Sequence, residues 1–151
     1  MSKTDLMTAR LKGRQRAVQA VLGDIERRAM TNEDVRAVAL VGSYARGAER
    51  MASDVEITIL TDKPDLLSEG SWFQTVHPGA RLIRSMDWGP VRERRMRLRS
   101  GLHVELNYAP LTWAAVPLDA GTHRVLADGH RFIYDTGLLG AAVVALKPTD
   151  R

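Results

Sequence analysis

An α/β (α+β) fold, with a mixed central sheet of about five strands flanked by helices, follows from three observations. A long stretch near the N-terminus carries apolar residues at helical spacing, a short run rich in β-branched residues ends abruptly at a glycine, and two later segments alternate between polar and apolar residues as strands do. With 151 residues, 44% hydrophobic and 26% charged, the chain can bury one core and is too short for two ordinary domains, so one domain over 1–151 is expected.

From Thr4 to about Ala29, the residues Val18, Val21, Leu22, Ile25 and Ala29 fall on one helical stripe, with Arg14, Arg16, Asp24, Arg27 and Arg28 on the other faces. This reads as an amphipathic helix with a solvated basic face, broken at Thr31-Asn32. Val35 to Val41 is almost wholly apolar, as a central strand buried on both faces requires. Gly42 ends it, Ser43 is expected to N-cap a short helix reaching about Ala48, and Gly47 to Ser53 is the loop that leaves it. Asp54 to Leu60 is the next strand, Pro64 to Glu69 a short helix and Ala80 to Met86 a third strand. Val91 to Arg99 is a fourth strand, turning through Ser100-Gly101 into Leu102 to Tyr108. Beyond these, Thr122 is expected to cap a short helix, Asp128-Gly129 to turn, Phe132 to Tyr134 to form a strand, and Leu138 to Leu146 to form a closing helix.

The chain has no cysteine, which removes disulfides and cysteine-based zinc sites from consideration. Met1 to Arg14 holds no unbroken apolar stretch, and no run of about 20 apolar residues could span a bilayer, so a cytoplasmic protein without membrane contact is expected. A net charge of +4 suits an anionic partner without identifying one.

Candidate chemistry gathers on the second strand. Side chains alternate between the faces of a strand, so Asp54, Glu56 and Thr58 project one way while Val55, Ile57 and Ile59 project the other. Two carboxylates on one face repel each other unless a cation lies between them, and a divalent metal is the natural choice. Upstream, a strand that ends in Gly42 and turns into a helix at Ser43 lets backbone N–H groups approach phosphate oxygens closely. A third acid, Glu105, stands on the polar face of the strand His103, Glu105, Asn107, and sites with two metals about 3.5–4 Å apart need several such oxygens. Register adds Arg95: a three-residue Arg99-Ser100-Gly101 loop pairs Leu98 with Leu102 and Met96 with Val104, which sets Arg95 opposite Glu105. Arg95 is therefore the candidate for balancing Glu105 or binding phosphate.

Leu40-Val41-Gly42-Ser43 followed by Asp54-Val55-Glu56-Ile57 resembles the signature of the polymerase-β-like nucleotidyltransferase superfamily. Gly42-Ser43-Tyr44-Ala45-Arg46-Gly47 and Ser53-Asp54 are especially similar to the small bacterial members, the minimal and antibiotic nucleotidyltransferases. The resemblance implies a nucleotidyltransferase fold and transfer of a nucleoside monophosphate from a nucleoside triphosphate, ATP being the favoured donor, to an acceptor hydroxyl on a small molecule or protein, with pyrophosphate leaving. It further implies that Gly42 and Ser43 hold the triphosphate, that Asp54 and Glu56 bind magnesium, with two ions expected, and that Glu105 binds the metal that activates the acceptor oxygen. Arg46 is the loop arginine nearest the signature and joins Gly42, Ser43 and Arg95 as a candidate nucleotide-binding residue. The second acid of the signature is Glu56 where many members carry Asp, and the chain has little beyond the part that holds the donor.

That small size motivates the alternative use, an antitoxin-like protein-binding module of the minimal nucleotidyltransferase type, with a partner protein or a second copy and with catalysis secondary or lost. Nucleic-acid end modification ranks third, on the basic pI of about 9.8 and the arginine run from Arg92 to Arg99. That run is read here as protection of an edge hairpin against aggregation. His77, His103, His123 and His130 lack metal-ligand spacing, and Trp72, Trp88 and Trp113 are read as packing residues.

Overall fold

A computed structural model describes residues 2–70 and 72–146. Helix α1, Lys3–Met30, starts at Ser2, whose Oγ accepts from Asp5 N at 3.1 Å while Asp5 reaches back to the cap. Strand β1, Ala37–Val41, is buried at all five positions, as its apolar sequence requires. Then come α2, Ser43–Arg46, strand β2, Val55–Leu60, and the short helices α3, Pro64–Glu69, and α4, Trp72–Val76. Strands β3, Arg81–Trp88, β4, Val91–Arg97, and β5, His103–Ala109, run through two tight turns. A 3-10 turn at Leu111–Ala114, helix α5, Ala120–Asp128, strand β6, His130–Asp135, and helix α6, Leu138–Val144, complete the described residues.

The fold is mixed α/β as expected, with six strands rather than about five, in the order β3-β4-β5-β2-β1-β6. Only the β2–β5 pair is parallel; the other four pairs are antiparallel. On one sheet face, Val21, Leu22 and Ile25 of α1 and Phe73 of α4 pack with Val38, Leu40, Ile57 and Leu106. On the other, Leu126 of α5 and Leu139 of α6 cover Ala37, Ala39, Val41, Leu60 and Ala109. Each of the large side chains fully removed from water contributes about 1.5–3 kcal/mol relative to exposure. The second cover lies over β1 and the distal ends of β2 and β5, with Val91 at the start of β4 packed against it.

The hairpin register argued from the sequence is the one observed: Met96 faces Val104, Arg95 faces Glu105, and Leu98 N donates to Leu102 O at 2.8 Å. The strand itself stops at Arg97 rather than Arg99. Two caps differ from expectation. Gly42, not Ser43, is the N-cap of α2, because the chain turns there with φ of 77°, a conformation that favours glycine. Asp119, not Thr122, caps α5: Thr122 N donates to Asp119 Oδ1 at 2.8 Å, while the Thr122 hydroxyl donates to Trp113 O at 2.9 Å. Helix α4 and the 3-10 turn carry too few residues to show a helical period and were not anticipated. Among the described residues no helix is long and apolar enough to cross a membrane.

Candidate functional site

Asp54 sits immediately before β2, and Glu56 is its second residue. The parallel ladder sets Glu56 beside Glu105, and the antiparallel ladder sets Glu105 beside Arg95. One face of three adjacent strands thus holds the three acids and the arginine singled out above. Arg95 Nη2 donates to Asp54 Oδ2 at 2.8 Å and lies 4.0 Å from Glu105 Oε1. His103 Nδ1 is 3.8 Å from Asp54 Oδ1.

Glu56 is tied to the glycine turn by space rather than by a hydrogen bond. A Cβ on residue 42 would come within 2.8 Å of Glu56 Oε2 and 2.9 Å of its carboxyl carbon. The missing side chain of Gly42 is therefore the room in which the longer Glu56 carboxylate lies, and strand β2 and the β1–α2 turn form one unit. Burial raises the Glu56 pKa, and the neighbouring Asp54 charge raises it further against the opposing pull of Arg46 and Arg95. Helix α2 has only four residues, so what it offers an anion is its leading N–H groups more than a macrodipole.

Arg46 is held by the end of α5 while its charge still reaches Glu56. Its Nη1 bonds Asp128 Oδ2 at 2.5 Å across the end of α5, and its side chain passes over Gly129, where a Cβ would meet Arg46 Cγ at 2.6 Å. Tyr44 Oη, Glu49 Oε2 and Arg95 Nε are buried without a hydrogen-bond partner among the described residues. Two of these three orphans, on Tyr44 and Arg95, belong to groups next to Asp54.

One acid escaped the sequence reading. Glu93 of β4, 6% exposed, accepts from Arg84 Nη2 at 2.6 Å and from Trp88 Nε1 at 3.2 Å. Burial works against its charge, but the bonds from Arg84, Glu105 and Trp88 prevail and lower its pKa. Glu105 responds in the opposite sense: burial, its hydrogen bond to Glu93 and the nearby charges of Glu93 and Glu56 push it up to about 7. Of the two neighbours, Glu105 therefore keeps its proton to higher pH than Glu93 does. The signal for Glu93 was present, since the register that sets Arg95 opposite Glu105 also sets Glu93 opposite Asn107 on the same face. Beside these acids a cavity of about 250 Å³ is lined by Glu56, Glu93, Glu105, Asn107, Trp113 and Val125.

The donor chemistry fits a divalent cation by charge: four carboxylates share one face, and two of them have pKa values raised by burial first and by neighbouring acids second. Among the described residues no three acid or histidine side chains are already drawn together as a ligand set. Asp54 is instead paired with Arg95 at 2.8 Å.

No family model and no curated protein matches the chain. Among solved structures the chain is similar to terminal uridylyl transferase 4 from Trypanosoma brucei with bound UTP and UMP, at 11% identity and a TM-score of 0.39. The match covers 62% of this chain and 34% of that one, so the chain spans about a third of its length.

Proposed function

We propose that this protein is a magnesium-dependent nucleotidyltransferase with the nucleotidyltransferase fold, moving a nucleoside monophosphate from a triphosphate to an acceptor hydroxyl with release of pyrophosphate. The close approach of Glu56 to Gly42 carries the reading, because it joins the glycine turn that opens α2 to the acid strand within one side-chain length. Asp54 and Glu56 would hold the metal on the donor side and Glu105 on the acceptor side; when bound, magnesium would neutralise the triphosphate and the acids together. Ser43 and the first N–H groups of α2 would bind triphosphate oxygens. Arg95 has a buried Nε free to donate and would exchange part of its contact with Asp54 for phosphate. ATP is the donor to try first. Isothermal titration with magnesium and each nucleoside triphosphate tests the proposal: absence of binding, or binding unchanged in Asp54→Ala, would sink it.

The Arg95–Asp54 pair also favours a second reading, a protein-binding module in which an internal guanidinium has taken the cation's place. Under that reading a partner protein co-purifies equally with wild type and with Asp54→Ala/Glu56→Ala. Loss of the partner's modification in the double variant would favour the enzyme instead.

A further inference from the structure

The sheet contains two successive arginine pairs across β3 and β4, and they differ in their surroundings. Arg84 faces Arg95, and each has an acid: Glu93 at 2.6 Å for Arg84, Asp54 at 2.8 Å for Arg95. In the next pair Arg81 faces Arg97, and neither has a carboxylate within ion-pair distance among the described residues. Like charges directly opposite each other on a sheet repel. The row continues across β5, where Arg97 faces His103, and ends at Asp54, which His103 Nδ1 approaches to 3.8 Å. Arg81 and Arg97 are exposed, no helix covers them, and strand β3 is a sheet edge.

We propose that the Arg81–Arg97–His103 row binds the phosphate backbone of a single-stranded nucleic acid and leads its end to Asp54. Two unneutralised guanidinium forks about one strand spacing of 4.8 Å apart call for an anion with more than one charge, and guanidinium matches phosphate bidentately. From Arg81 to Asp54 the row crosses three strand spacings, about 14 Å in all. It ends at acids that are largely recessed, with Asp54 and Glu105 side chains 26% and 15% exposed, which a flexible strand can reach and a duplex cannot. The preference for nucleic acid over an acidic peptide rests on the nucleotidyl-transfer reading, since a nucleic-acid strand carries a phosphate for each nucleotide along the row and ends in a sugar hydroxyl that would serve as acceptor at that point.

The test uses a labelled single-stranded oligonucleotide of about ten nucleotides, within the range one such site covers, followed by fluorescence anisotropy against salt without metal or nucleotide. Wild type should bind, and Arg81→Gln/Arg97→Gln should weaken binding at least tenfold and reduce the slope of log K against log salt by about 1.4, two phosphate contacts' worth. Arg28→Gln/Arg124→Gln, which removes the same charge from other surfaces, should change affinity less than twofold. The row variant should melt no lower than wild type, because a repulsive pair is gone. No binding by wild type, equal weakening by both double variants, or equally tight binding of a polyglutamate peptide would overturn the proposal. Extension of the oligonucleotide with magnesium and nucleoside triphosphates separates the two readings. Row-dependent binding without extension leaves the row standing and removes the oligonucleotide as acceptor, whereas extension undiminished in the row variant removes the row and leaves the transfer reaction standing.

Discussion

Arg95 Nη2 lies 2.8 Å from Asp54 Oδ2 and 4.0 Å from Glu105 Oε1, so one guanidinium balances acids from two different strands. This pair is partly buried, and breaking such a pair costs more than breaking a surface one because the remaining carboxylates lose their counter-charge.

Replacing Arg95 by Met is therefore expected to lower stability by about 1–3 kcal/mol at neutral pH. In a chain of this size that is a fall of several degrees in Tm. If Asp54, Glu56 and Glu105 then seek another cation, millimolar magnesium chloride will raise the Tm of Arg95→Met more than that of wild type. Thermal melts with magnesium, and with matched sodium chloride as control, measure it; equal shifts in both proteins would show that Arg95 does not stand in the cation's place.

Gly42→Ala faces two penalties at once, a left-handed φ of 77° and a Cβ within 2.8 Å of Glu56 Oε2. The first costs about 1–3 kcal/mol wherever it occurs. The second exists only while Glu56 is present. A double-mutant cycle with Glu56→Ala should therefore return a coupling of about 0.5–2 kcal/mol, with Gly42→Ala milder in the truncated background. Strict additivity in denaturant unfolding would mean that the turn and the acid strand are not in contact.

Much of this arrangement was legible because alternation and register are local rules with long-range consequences. Once Met96 and Val104 had to pair as apolar partners, Arg95 had to face Glu105, and it does. The parallel β2–β5 ladder was not legible: nothing in either strand specifies which neighbour it takes, and it is this ladder that brings Glu56 beside Glu105. The Arg46–Asp128 pair was not legible for a related reason, since Asp128 lies 82 residues away at the end of α5. Caps failed where two capping residues competed. Ser43 follows a glycine whose φ already sets the turn, and Asp119 lies three residues before Thr122, which serves it as donor.

That last relationship is directly testable. Asp119→Ala removes the acceptor for Thr122 N and is expected to cost about 1 kcal/mol, the usual value of an N-cap. Thr122→Val keeps the cap and removes a buried hydroxyl donor to Trp113 O, also at a cost of about 1 kcal/mol. Hydrogen exchange tells them apart: Asp119→Ala should loosen the first turn of α5 selectively, whereas Thr122→Val should loosen the 3-10 turn at Leu111–Ala114. A cap at Thr122 would instead make Asp119→Ala silent.

The raised pKa of Glu105 gives stability a pH dependence whose sign follows from the direction of the shift. The Glu105 pKa is raised from its ordinary 4.5 to about 7, by burial first and by Glu93 second. The folded state therefore holds the Glu105 proton more tightly than the unfolded chain, and stability is fully present below about pH 4.5 and is lost as pH rises through about 7. Glu56, also raised by burial and by Asp54, acts in the same sense. Glu105→Gln keeps the shape of the side chain and removes its titration. Wild type and variant should melt together near pH 5, whereas at pH 8 the variant should be more stable by on the order of 1–3 kcal/mol. Thermal melts across that range, at constant ionic strength, decide it. Parallel curves for the two proteins would mean that the folded state holds the Glu105 proton no more tightly than the unfolded chain does.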